Sequence, residues 1–454
     1  MSAPAAAPRP TTGDRAFAMA VAGIFLVALG LRVAYFLQAE VAHPVRGDIA
    51  EYFAYAYNLV EHATFSSAAP GSAAWPPDAW RGPGYPAFLA ACLKLAGSQE
   101  GGYRLAVWLQ LLLSAAVAPG AVAWTRRWLP RGGALAVGAM VAIWPHQVVF
   151  ASTLLSETVF GALLLACAWL GARADGARGG AAAGLASGAA TWVNPLALLL
   201  APIYSLLLWR EGRTRAAVAL LVVHLLCAGA WSARNAMHPG MRGNWERASA
   251  NLVQGSWPLY HAAYNARRQH PEARELLLQI AAEEQLIAAD PEAGLAAVGS
   301  RIASAPAQAA RWYVLEKPYA LWSWWVRIGW GDVHYLQTGR TPYKTSAFFR
   351  ATHWACRTAT PALFVLALAA ALLAWRRRSE ADSGARLALR LAAALFLYVT
   401  VVHAVLQADP RYAVAYRPFE LALAVTALVM AARAWRRWRH AAPPVAARSR
   451  EGFG

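Results

Sequence analysis

Apolar stretches of about 20 residues recur along the chain, and clusters of arginine stand at their ends. A helix needs about 20 apolar residues to cross the hydrocarbon core of a bilayer. The pattern therefore predicts an all-α polytopic membrane protein. The predicted spans are 16–36, 105–124, 135–150, 158–171, 181–209, 216–231, 347–375, 387–405 and 419–435.

The composition excludes an ordinary soluble enzyme and a disordered chain. Of 454 residues, 58% are hydrophobic and only 15% are charged, against about 25% in an average soluble domain. A net charge of +18 by itself would suggest nucleic acid as a partner. Because the arginines cluster beside apolar spans, we expect membrane lipids and no nucleic acid as partners.

The arginine clusters also predict the orientation, because cytoplasmic loops of membrane proteins are enriched in Lys and Arg. The stretch 181–209 is broken at Asn194-Pro195, where proline cannot continue a helix, and we count it as two spans. About ten spans then place both termini on the cytoplasmic side of a bacterial inner membrane. The arginines that indicate this side are Arg9, Arg15, Arg126, Arg127, Arg131, Arg173, Arg178, Arg210, Arg213, Arg215, Arg376, Arg377, Arg378, Arg436, Arg437 and Arg439.

The predicted organisation has two periplasmic regions. The first outer loop, 38–102, belongs to a transmembrane core over 16–233. A helical periplasmic region follows at 234–346, and its tryptophan-rich stretch 322–330 is predicted to touch the membrane interface. The C-terminal transmembrane helices occupy 347–440, and cytoplasmic ends remain at 1–15 and 441–454.

The first outer loop opens with GDIAEY at 47–52. Asp48, Glu51 and Tyr52 lie at spacings of three and four residues, which share one face of a helix. A carboxylate and a tyrosine on one face suit a binding or catalytic site. A plain helix cap by Asp48 explains the same spacing.

Two rigid turns on the same side carry arginine. The first loop closes with RGPGYP at 81–86, and QADPRY occupies 407–412 between the last two spans. Arg81 and Arg411 could each bind a phosphate through two parallel hydrogen bonds. Contact with lipid headgroups for Arg81, and ordinary turn chemistry for 407–412, remain open alternatives.

A carboxylate also stands at membrane depth, in SE at 156–157. Burying Glu157 there is costly, which favours a role, although a helix N-terminus would also accept it. The cysteines form no CxxC pair, and no nucleotide-binding or metalloprotease motif occurs, so no cofactor or metal is indicated. An activated substrate at the outer face would have to arrive on a lipid.

The order of these motifs resembles the membrane-embedded GT-C glycosyltransferases, in the bacterial branch related to protein O-mannosyltransferases and the lipid A aminoarabinose transferase. The resemblance rests on GDIAEY at 47–52, RGPGYP at 81–86, SE at 156–157, WSARN at 231–235 and DPRY at 409–412. It implies an inverting transferase with a polyprenyl-phosphate sugar donor and a lipid, glycan or protein acceptor.

The resemblance also implies roles for single residues. Asp48 would be the catalytic base, and Arg81 and Arg411 would bind the donor phosphate. Further contacts to substrate would come from Glu51, Tyr52, Tyr85, Glu157 and Tyr412.

Two other functions fit a membrane protein of this kind. A transporter or flippase of lipid-linked glycans should show internal repeats and broken helices at the midplane. The chain has one broken pair and no visible repeat. An enzyme like an O-antigen ligase or polymerase would also use arginine at the outer face but would not need Asp48.

Overall fold

The computed structural model describes residues 11–238, 241, 243–376 and 382–441, and helices make up most of them. Arg9, Arg377, Arg378 and the predicted tail from residue 442 onward lie outside these ranges. The predicted all-α membrane fold is confirmed.

Ten α-helices lie in the described part of the first half of the chain. Two of them belong to the first outer loop, and the other eight correspond to the predicted spans. They are α1 (Thr12–Gln38), α2 (Asp48–His62), α3 (Gly84–Ala96), α4 (Gln99–Thr125), α5 (Arg131–Ile143), α6 (Pro145–Ala151), α7 (Glu157–Arg173), α8 (Ala177–Val193), α9 (Leu200–Arg210) and α10 (Thr214–Ala236).

The described part of the region 234–346 is mostly helical, and a two-stranded antiparallel sheet pairs it with the first loop. In that sheet β1 (Glu40–Val41) runs beside β2 (Thr338–Arg340). A π-helical turn, Trp312–Glu316, lies between the fifth and sixth of the helices. These helices are α11 (Asn244–Ser256), α12 (Tyr260–Ala266), α13 (Pro271–Ala289), α14 (Pro291–Ser304), α15 (Pro306–Arg311), α16 (Lys317–Trp322) and α17 (Pro342–Thr345).

Four helices complete the described chain. Three are long, and the short one opens at the predicted turn between the last two spans. They are α18 (Ala347–Arg376), α19 (Ser383–Val405), α20 (Pro410–Ala413) and α21 (Arg417–Ala441).

Six helices of the described chain are long and apolar enough to cross a membrane: α1, α4, α10, α18, α19 and α21. A seventh span results if α5 and α6, bent by 51° where Pro145 interrupts them, count together. The predicted count of ten is therefore not confirmed. The helices α7, α8 and α9 stand at predicted spans, but they have only 17, 17 and 11 residues.

The break at Asn194 is present as predicted. Helix α8 ends at Val193, and the Asn194 side-chain oxygen accepts a hydrogen bond from the backbone N–H of Leu196 at 3.1 Å. A 3-10 turn, Pro195–Ala197, then leads into α9. The break lies next to the first outer loop, where it helps to form the site described below.

A buried charge in the first span joins three helices. Arg32 of α1 is fully buried, and its guanidinium donates to Ser114 Oγ of α4 at 2.8 Å and to the Ala142 carbonyl of α5 at 3.0 Å. A charge inside a membrane is costly unless its hydrogen bonds are satisfied. Arg32 therefore holds the amino-terminal helices together.

We predict that the two outer regions are reached by reagents from outside the cell. Cysteines introduced at Gly71 and Gln269, both exposed, should react with an impermeant maleimide in intact cells. A cysteine at Ser383, near an arginine cluster, should react only after permeabilisation. The unsubstituted protein measures the background from its own cysteines. Labelling at Ser383 in intact cells would show that the predicted orientation is wrong.

Candidate functional site

A cluster of ion pairs forms where the first loop meets the turn before the last span. Asp48 is the first residue of α2, and its Oδ1 lies 2.8 Å from Arg81 Nη2. Its Oδ2 lies 2.7 Å from Arg411 Nη2. The two arginines are far apart in sequence, yet they contact the two oxygens of one carboxylate. The structure thus brings Arg81 and Arg411 together around one carboxylate, a group similar in size to a phosphoryl group.

Each arginine has a second acidic partner. Glu51 accepts a hydrogen bond from Arg81 Nε, and Glu157 Oε1 lies 2.6 Å from Arg411 Nε. Glu157 is buried, and among the described residues its other oxygen, Oε2, has no hydrogen-bond partner. A buried carboxylate oxygen without a donor is costly. It is available to a ligand group that carries a hydrogen.

The helix-cap explanation of Asp48 does not match the geometry. The cap position of α2 is Gly47, and no side chain caps the helix start. Both oxygens of Asp48 are occupied by guanidinium groups instead. The carboxylate therefore links two distant turns of the chain.

The electrostatics of the cluster strongly favour its charged form. Burial alone would raise the pKa of Asp48, but the charges of Arg411 and Arg81 outweigh it and hold the pKa well below its ordinary value. Burial alone would lower the pKa of Arg81, and its acidic neighbours, Asp48 first, reverse that effect. In this arrangement Asp48 is ionised and is a weak base.

A third arginine, which no sequence motif pointed to, belongs to the same cluster. Arg247 of α11 lines the same cavity as Asp48 and Arg411, and it donates to the Trp80 carbonyl at 3.3 Å. Burial and the like charge of Arg81 lower the pKa of Arg247. It lies in the long outer region without distinctive neighbours in sequence, so only the fold reveals it.

The cavity enclosed by this cluster has a volume of about 60 Å³. It has room for about four water molecules. A phosphate that binds these arginines must compete with their carboxylate partners. The polar side chains that line the cavity include Asp48, Tyr52, Arg81, Glu157, Asn194, Arg247, Arg411, Tyr412 and Tyr416.

Of the three tyrosines that the resemblance assigned to substrate, two line the cavity and one lies behind it. Tyr52 and Tyr412 line the cavity, and Tyr52 donates to Ser156 Oγ at 3.2 Å. Tyr85 lies behind Tyr52, with ring centroids 4.9 Å apart in an edge-to-face contact, and donates to Gln110 Oε1 at 2.7 Å. Tyr85 is fully buried and supports the ring of Tyr52 from outside the cavity.

Asp409 holds Arg411 in place through the backbone. Its Oδ1 accepts from the Arg411 N–H at 2.9 Å, and its Oδ2 accepts from the Arg327 N–H at 2.9 Å and the Ile328 N–H at 3.1 Å. The segment after Ile328 then brings the ring of Tyr335 to 4.4 Å from the Arg411 guanidinium carbon. The turn chemistry predicted as an alternative for 407–412 is present, and it positions an arginine of the cluster.

The turn that carries Arg81 packs directly on the broken end of α8. A Cβ atom on Gly82 would lie 2.2 Å from the carbonyl oxygen of Trp192, and one on Gly84 would lie 2.9 Å from the backbone nitrogen of Val193. Only glycine permits so close an approach of two backbones. This contact sets the position of Arg81.

We predict that Gly82→Ala destabilises the protein by about 1–3 kcal/mol, because backbone must move to admit the methyl group. The midpoint of thermal unfolding of the purified protein should fall accordingly. The matched control is Gly132→Ala in α5, where nothing lies within 4 Å of the new atom and the change should be neutral or slightly stabilising. Equal midpoints for both variants would contradict the close packing.

The site residues do not form an evident metal centre. Within the described ranges, no group of three or more His, Cys, Asp or Glu side chains is placed to hold a metal ion. Asp48 and Glu157 are both engaged by Arg411. The expectation that no metal or cofactor takes part remains a prediction.

Among the comparisons with known proteins, only the search of solved structures found similar proteins. No protein-family model matches the sequence. The curated proteins also contain no match. Among solved structures, the chain is similar to the oligosaccharyltransferase of Archaeoglobus fulgidus, in its apo form and tethered with an acceptor peptide. The sequence identity is 12% in both cases, and the TM-scores are 0.51 and 0.52.

These similarities cover 94% and 93% of this chain, which spans only 52% and 50% of the oligosaccharyltransferase. ArnT from Cupriavidus metallidurans, bound to undecaprenyl phosphate, is 17% identical over 92% of this chain and 78% of its own, with a TM-score of 0.36. That score is too low to support an argument. The chain thus shares the fold of the archaeal oligosaccharyltransferase over about half of that protein's length, and the GT-C resemblance is confirmed as a likeness of fold.

Proposed function

We propose that the protein is an inverting glycosyltransferase of the membrane, which transfers a sugar from a polyprenyl-phosphate donor to a lipid, glycan or protein hydroxyl. The observation that carries this proposal is the convergence of Arg81 and Arg411 on the Asp48 carboxylate. The shared fold supports it, although a fold alone does not establish an activity. The proposed location is the periplasmic face of a bacterial inner membrane, with both termini in the cytoplasm.

Donor binding would use the arginines that now bind carboxylates. A phosphate diester presents oxygens that match the planar fork of a guanidinium. Three arginines line the cavity: Arg81, Arg247 and Arg411. Their charge is matched by three carboxylates, those of Asp48, Glu51 and Glu157, so the cluster is neutral without a ligand. An entering phosphate would displace carboxylates from the arginines and open the small cavity.

This exchange would also prepare Asp48 for proton transfer. While Arg81 and Arg411 hold it, the pKa of Asp48 lies well below its ordinary value, and a base of low pKa accepts protons poorly. Once the arginines bind the phosphate, their effect on Asp48 weakens and its pKa rises. The donor would thereby activate the base that it needs.

The chemical step is a displacement at the anomeric carbon. The acceptor oxygen forms a bond to that carbon on the face opposite the phosphate, and its proton passes to Asp48. The bond between carbon and the phosphate oxygen breaks, and the electron pair leaves with the lipid phosphate. Arg81 and Arg411 stabilise the negative charge that grows on the leaving group. One displacement inverts the configuration of the sugar.

The test uses the donor that the cell itself provides. Lipids are extracted from cells with and without the gene, and the polyprenyl-linked sugar that accumulates in its absence is added to purified protein. We expect release of the lipid phosphate only when acceptor membranes are present. A flippase would move this lipid across liposome membranes without cleaving it. Transport without cleavage, or no accumulated lipid-linked sugar at all, would overturn the proposal.

A further inference from the structure

A second cavity, of about 480 Å³, lies apart from the Asp48 site. It is formed by the segment before β2, by α17 and by the first turns of α18. Its walls combine exposed aromatic rings with positive charges. The residues that matter for its chemistry are Trp325, Trp330, Lys344, Arg350, Trp354 and Arg357.

The positive charges in this cavity have no acidic partner. In the part of the chain that the structure describes, no carboxylate pairs with Lys344, Arg350 or Arg357. The carboxylate of Asp332 also lines the cavity, but it accepts hydrogen bonds from His353 Nε2 at 2.8 Å and from Trp324 Nε1 at 2.7 Å. Three cations therefore face the cavity against one carboxylate that is already satisfied.

The cavity is formed by the outer region that also contacts the Asp48 site. Its wall includes His334, while the next residue, Tyr335, packs against Arg411 of the first site. Burial lowers the pKa of His334 to about 4, so its ring is neutral and adds no charge. On the outer side of a membrane protein, clustered Lys and Arg run against the usual bias and call for an explanation.

The length of α18 places the cations near the level of the lipid phosphates. The helix has 30 residues and is therefore about 45 Å long, against a hydrocarbon core of about 30 Å. Its inner end carries Arg376, so its first turns extend beyond the hydrocarbon. Arg350, His353, Trp354 and Arg357 recur at spacings of three and four residues and line one face of these turns.

We propose that this cavity binds the phosphorylated headgroup of a membrane lipid. Arg350 and Arg357 would hold the phosphate, and the rings of Trp325, Trp330 and Trp354 would contact the glycerol or sugar part and the start of the acyl chains. Tryptophan is the residue that prefers this depth of the membrane. The proposal concerns a different cavity from the donor site and stands whether or not the protein transfers sugars.

The experiment measures lipid binding to the purified full chain by native mass spectrometry. After delipidation in detergent, the protein is titrated with dioleoyl phosphatidic acid. The double variant Arg350→Gln with Arg357→Gln should bind it about tenfold more weakly or worse, since each cation near the surface contributes to anionic-lipid binding. The charge-keeping pair Arg350→Lys with Arg357→Lys should stay close to the unsubstituted protein and shows that folding is intact.

A matched pair of substitutions controls for net charge. Arg268→Gln with Arg274→Gln removes two exposed arginines from the outer helical region and should leave the affinity unchanged. Lipid bound at the Asp48 site would be lost in Arg411→Gln but kept in the double variant Arg350→Gln with Arg357→Gln. Binding at the two sites can therefore be measured separately. Equal losses in the two double variants would overturn the proposal. Equal competition by glycerol 3-phosphate would also overturn it, because the site would then serve a soluble phosphate.

Discussion

Replacing Asp48 with asparagine is expected to lower the turnover number by about 10²–10⁴-fold, the usual effect of losing a general base. The amide keeps the shape of the side chain but cannot accept the proton from the acceptor hydroxyl. Donor affinity should persist or rise, because the carboxylate competes with the donor phosphate for Arg81 and Arg411. The measurement is steady-state transfer with varied donor, which separates the turnover number from the apparent affinity.

The same variant separates catalysis from a structural role. Asp48 also links Arg81 and Arg411, so Asp48→Asn weakens both ion pairs. Loss of the base alone lowers the turnover number and spares donor affinity, whereas misplaced arginines would lower donor affinity as well. The control is Glu100→Gln, an exposed carboxylate paired with Arg104, which should have no effect on transfer. Turnover close to normal in Asp48→Asn would exclude Asp48 as the base.

Glu157 provides the strongest internal comparison. Its Oε2 is buried without a hydrogen-bond partner among the described residues, so it could also receive a proton. If Asp48 is the base, Glu157→Gln should chiefly weaken the positioning of Arg411 and reduce turnover less than Asp48→Asn does. A larger loss of turnover in Glu157→Gln would move the role of base to Glu157.

The core of the cluster could be predicted from the sequence because rigid turns and topology determine it. Arginine clusters place the segments of Asp48, Arg81 and Arg411 on one side, and Gly and Pro fix the turns around both arginines. The spacing of Asp48 and Tyr52 already placed them on one helical face. These signals are local, so they do not depend on knowing how the helices pack.

Other parts of the site depend on packing and left no local signal. Arg247 lines the cavity and Tyr335 packs on Arg411 only because the outer region folds back over the first loop. The tryptophan-rich stretch was predicted to touch the membrane interface as a whole. Trp322 and Trp324 are buried in the protein, whereas Trp325 and Trp330 are exposed. A composition pattern cannot distinguish an aromatic ring that faces lipid from one that faces the core.

Replacing Arg411 with glutamine is expected to reduce kcat/KM for the donor by about 10²–10³-fold, comparable to the loss of a group that stabilises the leaving oxygen. The phosphate is anionic both in the bound donor and in the transition state. Donor affinity and turnover should therefore fall together. Arg411→Lys keeps the charge but not the planar fork, and it should retain part of the activity.

Arg417→Gln distinguishes this effect from a general loss of stability. Arg417 is as deeply buried as Arg411, and its Nη1 lies 2.5 Å from Glu420 Oε2, but it does not line the Asp48 cavity. Breaking either buried pair leaves a carboxylate without its partner, and both variants should unfold at lower temperature. Only Arg411→Gln should weaken the donor interaction in the protein that remains folded. If Arg417→Gln reduced kcat/KM to the same extent, the loss in Arg411→Gln would reflect disturbed packing, and the assignment of Arg411 to the donor phosphate would be wrong.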